Sequence, residues 1–389
     1  MPEPQTGIRG TKYVTGTEDS NIRDVASRIA LLQPEDAPLL AFMNGLKKKL
    51  KATNPKFEWF EDELTPNIVT ISGTEASGST SFALTTGQGV RVRVNDILVS
   101  NTGESLLVTA VSTDTLTVTR SMGSVAATAY IALDEFVIAG TAMLEGATNP
   151  TSVWTKKVGK TNYIQIFRDI VELTATQVNT DSYGGNDRLY QRKKKAVEHK
   201  RQIEQALLLG DGFEDNSGDQ IRRGTEGLLN FVSTNVTDGG GVLTETEFEA
   251  FLRSVFRYHP TVTAPEKWFL CAPMLISAIN FWAKNALRIE TSEKTFGVRV
   301  AKYRSGHGDL NITRHWLLED FTEFKEYGFV IDPENVMYRF LQNLDTKLHT
   351  DIQNDNEEVN RDEYRTHAGL QLMQEKTHGY VKGVTGFAA

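Results

Sequence analysis

From Lys56 the chain alternates, with Phe57 and Trp59 on one side and Glu58 and Phe60 on the other, and a period of two marks a strand. Nothing close by matches it. The next stretch of comparable pattern lies at residues 154–177, where Val153, Thr155 and Lys157 lead into Tyr163, Ile164, Ile166, Ile170, Val171 and Leu173. A strand whose partner is so distant confines the fold. The pair must project as a ribbon, and whatever lies between must be an insertion carried on it.

The insertion, residues 84–140, reads as a small all-β module. Val90, Val92 and Val94 alternate, as do residues 107–111, 116–118 and 136–138, with a Ser-Thr-Asp-Thr turn at 112–115. Short strands at regular spacing predict a small β-barrel or sandwich. Between Phe57 and Thr155 there is no lysine. Three arginines (Arg91, Arg93, Arg120) face eleven acids, so this stretch holds the whole formal net charge of −8 and the remainder is neutral. An acidic, lysine-free module belongs in solvent.

Around the ribbon the pattern becomes helical. Residues 1–20 are rich in Gly, Thr and Pro and read as an arm. Asp19 or Ser20 can cap a short helix bearing Ile22, Val25, Ile29 and Leu32, which ends before Pro34. A second helix from Pro38 carries Leu39, Phe42, Met43 and Leu46 and runs into a basic cluster at 47–51, which suits either a solvated face or contact with phosphate or an acidic partner. The best-marked helix covers 187–209. Asn186 caps it, neither Gly nor Pro interrupts it, and Gly210 ends it, so it extends roughly 35 Å. Its apolar line is Leu189, Tyr190, Ala196, Val197, Ile203 and Leu207. Arg188, Arg192, Lys193, Lys194, Lys195, Lys200 and Arg201 outnumber Asp187, Glu198 and Glu204, which suits either a solvated face or a basic stripe toward a polyanion. Thr244 opens a helix with Phe248, Phe251, Leu252 and Val255 inward, Pro273 opens another, and residues 364–384 alternate as one long final strand.

Signatures of chemistry are missing. There is no Gly-x-Ser-x-Gly elbow, no Walker lysine loop, no His-Glu-x-x-His and no strand-linked Gly-x-Gly-x-x-Gly, so no catalytic, metal or cofactor residue is expected and the chain is not read as an enzyme. The loop at 210–224 fails as a calcium site, because Asn216 or Gln220, counted from Asp211 or from Asp215, stands where the sixth position requires Gly. His307, Asp309 and His315 form the best grouping and support a metal-dependent hydrolase as the alternative from another class. A single cysteine, Cys271, excludes an internal disulfide and a thiolate cluster. No apolar run reaches the length of a bilayer span, and the polar first residues lack a secretory core, so folding in the cytosol is expected. The overall acidity argues against sequence-reading of DNA.

The order of parts, together with NIRDVASRIALLQPEDAPLLAFM, TNPKFEWFEDEL, LLVTAVSTDTLTVTRSMGS, NYIQIFRDIVELTATQVNTDSYG, KKKAVEHKRQIEQALLLG and THAGLQLMQEKTHGYVKGV, resembles the major capsid proteins of tailed bacteriophages. The similarity is to the subgroup whose extended loop carries a small β-barrel. The resemblance implies an α+β fold of the Hong Kong 97 type and covers nearly the whole chain. Its parts would be an N-terminal arm with short helices (1–53), an extended loop (54–83 and 141–180), the insert (84–140), a peripheral domain with the long spine helix (181–225 and 331–389) and an axial domain (226–330). It implies self-assembly of pentamers and hexamers into an icosahedral shell around double-stranded DNA, bound by phosphate contact without base readout. Portal and scaffold or decoration proteins would be further partners, no membrane is involved, and the protein would reside in the virion after assembly in the host cytoplasm. Phe57, Trp59, Trp154, Tyr163 and Phe167 would make the intersubunit surface of the extended loop. The seven bases of the long helix would face the lumen. An encapsulin-like cage is the alternative that keeps the fold.

Overall fold

The computed structural model describes residues 37–180, 185–258, 265–283, 289–291, 301–319 and 322–388. The expected arm and its first helix, at residues 1–36, lie outside these. The chain forms two compact units, Met1–Glu58 with Thr161–Ala389, and Trp59–Lys160. Strands Lys56–Glu61 and Val158–Tyr163 pair as a two-stranded sheet and carry the chain between the units. This ribbon is shorter than the alternation implied. Ile164 interrupts it, and the following strand, Gln165–Thr174, takes a different partner, pairing antiparallel with Val359–Leu372 over its full ten residues. A period of two specifies a strand and its buried face, but not which strand lies beside it.

In the larger unit, one sheet has the order Lys49–Ala52, Val336–Leu341, Val359–Leu372, Gln165–Thr174, with Lys347–His349 also paired to Val359–Leu372. The long helix Asp187–Leu209 lies against this sheet, and Ile203, Leu207 and Leu208 join Phe42, Met43, Phe167 and Leu370 in one apolar core. The second sheet has seven strands, in the order Val236–Leu243, Gly379–Phe387, Gly328–Ile331, Glu266–Cys271, Asp309–Arg314, Ala301–Arg304, Ile289–Thr291. Its central strand Glu266–Cys271 is buried from Lys267 onward, as a strand covered on both faces must be. Helix Glu245–Phe256 opens on a complete Thr244–Glu247 capping box and turns Phe248, Phe251, Leu252 and Val255 into this core, where Phe269, Leu275, Ile279 and Trp282 meet them.

The expected final strand is two strands. Val359–Leu372 ends before Gln374, whose φ of +53° turns the chain, and Gly379–Phe387 continues in the other sheet. The last strand therefore belongs with residues 236–331 and not with the peripheral part to which 331–389 was assigned.

The smaller unit is a six-stranded antiparallel sheet, in the order Ile68–Thr70, Glu135–Thr141, Asp96–Ser100, Ser105–Ser112, Thr115–Thr119, Ser81–Ala83. Its end strands meet through a bridge between Ile71 and Leu84, with Thr85 N–H donating to the Thr70 carbonyl and Ser72 N–H to the Ala83 carbonyl, both at 2.8 Å. The sheet therefore curls back onto itself around Val69, Phe82, Leu98, Leu106, Val108, Leu116, Tyr130 and Phe136. Two of its strands precede residue 84, where the insert was placed. At three residues each they are too short to show a period. Among the described residues no helix is long and apolar enough to cross a membrane.

Candidate functional site

The long helix has two distinct faces. Asn186 accepts a hydrogen bond from Leu189 N–H at 3.1 Å at its start. At its end Gly210 is obligatory, because a Cβ there would lie 2.4 Å from the Ala206 carbonyl oxygen and 2.5 Å from that of Thr225. The inward side carries charged groups as well as the apolar Ile203, Leu207 and Leu208. Arg188 and Arg192 both grip Asp362, at 2.7–3.0 Å, and Arg188 reaches Asp351 at 2.6 Å. Burial alone would raise the pKa of the Asp362 carboxyl, but hydrogen bonds from Arg192 and Arg188 outweigh it and hold the group well below the usual range. One helical stretch further on, His199 is fully buried, with Nδ1 2.7 Å from Asp169 Oδ2 and Nε2 2.7 Å from Thr366 Oγ1. The order carboxylate, imidazole, hydroxyl is that of a hydrolytic triad, yet Thr366 is completely buried and its hydroxyl donates to Thr346 at 2.9 Å. It is a packed polar network.

Glu204, on the same side, accepts from Leu39 N–H at 2.6 Å and Leu40 N–H at 2.9 Å, and lies 2.9 Å from His315 Nε2. These amides are the first free donors of helix Pro38–Gly45, so a buried carboxylate on one helix caps another.

Two of the seven bases expected on a free stripe, Arg188 and Arg192, are thus spent on a buried aspartate. Their spacing places them on the same helical side as His199 and Ile203, which the narrow apolar line concealed. Conversely Leu189, expected inward, is 52% exposed. Lys193, Lys194 and Lys200 are exposed, Lys195 and Arg201 are half-buried, and Lys194 and Lys195 share Glu198 at 4.0 and 2.5 Å.

The aromatic residues expected at a subunit contact divide in the same way. Phe57, Trp59 and Phe167 are buried within this chain, Phe167 in the core beneath the long helix, and Tyr163 is half-buried. Burial withdraws those three from any intersubunit surface. Trp154 is 76% exposed but lies outside the paired strands, in the coil before Val158. The exposed apolar residues around the ribbon are instead Phe60 at 74%, Leu64 at 94% and Val158 at 56%. The alternation already implied Phe60, because if Phe57 and Trp59 point inward, residue 60 must point outward.

At the root of the ribbon, Asn162 is buried and fully used. Its amide nitrogen donates to the Leu370 carbonyl at 2.6 Å, the Glu226 carbonyl and Thr225, and its oxygen accepts from the Tyr163 and Glu226 amides. It ties strand Val158–Tyr163 to the larger unit's own strand Val359–Leu372.

The residues of the hydrolase alternative are not brought together. His315 is buried on Glu204, Asp309 pairs with Lys302 at 2.7 Å, and His307 lies near Glu249 at 3.9 Å. Among the described residues no three His, Cys, Asp or Glu side chains form a metal-binding group. Cys271 is fully buried, and burial pushes its thiol pKa up.

Known proteins add an independent line. A model of the family described as SU10 major capsid protein matches residues 6–385. The major capsid protein of Pseudomonas phage PaMx41 is 24% identical over 225 residues, covering 57% of this chain and 53% of that protein, so the chain spans about half the length of that relative. Among solved structures, the Cyanophage A-1(L) capsid asymmetric unit aligns with 96% of this chain and 99% of its own, at a TM-score of 0.52 and 10% identity. The SrpI encapsulin complex of Synechococcus elongatus PCC 7942 aligns with 60% of this chain and 80% of its own, at a TM-score of 0.42 and 13% identity.

Proposed function

Because this chain belongs to the SU10 major capsid protein family and has the α+β fold of phage capsid proteins, we propose that it forms the shell of a phage head and that its ribbon is the element that joins one copy to the next. The observation that carries this is the exposure of Phe60, Leu64 and Val158 on and beside a two-stranded ribbon. Two strands alone are marginal in water, and large apolar side chains left in solvent on such an element fit a surface completed by another chain. The contact is heterologous, so it closes through rings of five and six copies that combine into a shell. Lys193, Lys194, Lys195 and Lys200 would face packaged double-stranded DNA and contact phosphate alone, while portal and scaffold or decoration proteins would complete the head. Assembly would take place in the host cytoplasm.

The test is Phe60→Ser with Leu64→Ser. Both side chains are exposed, so the variant should keep the wild-type thermal transition while electron microscopy shows capsomers or monomers in place of closed shells. Shells of normal yield would reject the ribbon as the joining element. Purified wild-type particles should hold nuclease-resistant DNA, and an enzyme cargo without DNA would support the encapsulin-like alternative instead.

A further inference from the structure

The insert unit has a groove of about 850 Å³ lined by Val90, Val94, Val111 and Trp154 together with Arg91 and Arg93. Its charge is the reverse of its surroundings. Residues 57–155 hold eleven acids and three arginines, yet no carboxylate lines the groove among the described residues, and two of the three arginines do. The third, Arg120, is half-buried and held by both oxygens of Glu104, at 2.7 and 2.8 Å. Arg91 and Arg93 make no ion pair among the described residues. Arg91 Nη1 donates to the Ile68 carbonyl at 3.3 Å, and the buried Nε of Arg93 has no partner.

The walls are fixed. Asp114 accepts from the amides of Gly87 and Gly89, both at 2.9 Å, which pins the turn before Arg91. Thr155 donates to Asp62 at 2.8 Å and holds the opposite wall. Asp96, beside the groove, is engaged in the same way, its carboxylate accepting from the Arg93 amide and the Thr141 hydroxyl, both at 2.7 Å. Val90 is 76% exposed and Val94 46%, so apolar surface flanks the guanidinium groups.

From this juxtaposition we infer that the groove is a binding site for an extended acidic peptide segment of another protein, its carboxylates on Arg91 and Arg93 and its aliphatic side chains on Val90, Val94 and Trp154. Guanidinium groups without a carboxylate favour exactly that donor-to-acceptor match. The apolar lining favours a peptide over an acidic polysaccharide, whose hydroxyls gain nothing from valine. The repulsion of the surrounding acids falls off beyond about 8 Å at physiological salt, so contact inside the groove decides. The inference does not depend on the shell reading, since the groove lies wholly within residues 65–155.

The experiment titrates the purified full-length protein with a fluorescein-labelled peptide of alternating Asp and Leu, beside its Asn and Leu counterpart and a heparin fragment. Saturable binding of the Asp peptide, weakened by added salt and at least about tenfold stronger than that of the Asn peptide, is expected. Arg91→Gln with Arg93→Gln should weaken it by a similar factor. Should that pair perturb folding, Val90→Asp adds a carboxylate to an exposed rim position without removing any hydrogen bond, and should weaken it as well. Equal binding of both peptides, unchanged affinity in Val90→Asp, or preferential binding of the heparin fragment would overturn the inference.

Discussion

His378 has no access to solvent, and its two ring nitrogens are already occupied, one by the Asp332 amide at 3.2 Å and the other by the Met373 carbonyl at 3.2 Å. Burial, with the charge of Lys267 adding to it, pushes its pKa down to about 3. Below the ordinary histidine value of about 6.5 the unfolded chain binds a proton that the folded chain refuses, so stability falls as pH drops from about 6.5 toward 3. Lys267, also buried, donates to the carbonyls of Val255 and Thr377, and burial pushes its pKa down to about 8 against the opposing charge of Asp332. There the unfolded chain holds the extra proton between pH 8 and about 10.5, so stability rises with pH across that range. Urea midpoints measured from pH 7 to 4 should decline in the wild type, and His378→Gln, which cannot titrate, should flatten the decline. An identical slope in the two proteins would assign the acid sensitivity to carboxylates elsewhere.

At the scale of elements, the long helix is a beam with one face built into the molecule and one left free. Reversing Lys193 and Lys200 to Glu changes only exposed positions, so shell formation should persist while retained DNA falls several-fold, read as the ratio of absorbance at 260 to 280 nm in purified particles. Equal loss of shells and DNA would move these lysines to a subunit contact. The beam's length was legible because its ends are local signals, Asn186 and Gly210. So was the inward face of Glu245–Phe256, whose apolar residues recur at helical spacing behind a capping box. The inward face of the long helix was not, because Arg188 and Arg192 are drawn inward, to half-buried positions, only by virtue of Asp362, far along the chain, and no local period marks a charge that will find its partner later. Gln165–Thr174 repeats the lesson: its strand character was plain, but its neighbour was set by tertiary pairing with Val359–Leu372. Of the five aromatic residues read as a contact surface, sequence could show that they were large and alternating, but not that the chain itself would cover three of them.

On the scale of the whole molecule, the smaller unit, Trp59–Lys160, has a core of its own, and the chain enters and leaves it through the paired strands of the ribbon. Replacing residues 68–141 by a short Gly/Ser bridge should therefore leave the larger unit folded, with unchanged cooperativity in urea and unchanged protection of its amides from exchange. Loss of either would mean that the two cores stabilise each other. Inside the insert, Glu104 is fully buried; burial opposes ionisation, but Arg120 and Tyr130 hold its carboxyl down at about 2, so this contribution is kept until pH falls from about 4.3 toward 2.

The bridge between Ile71 and Leu84 has a bearing on crowding. An open sheet presents unpaired amides and carbonyls to which a stranger's strand can add, and that hazard grows with local concentration. Here the first and last strands are joined to each other, so a lattice can hold many inserts side by side without offering them a template for fibrous stacking.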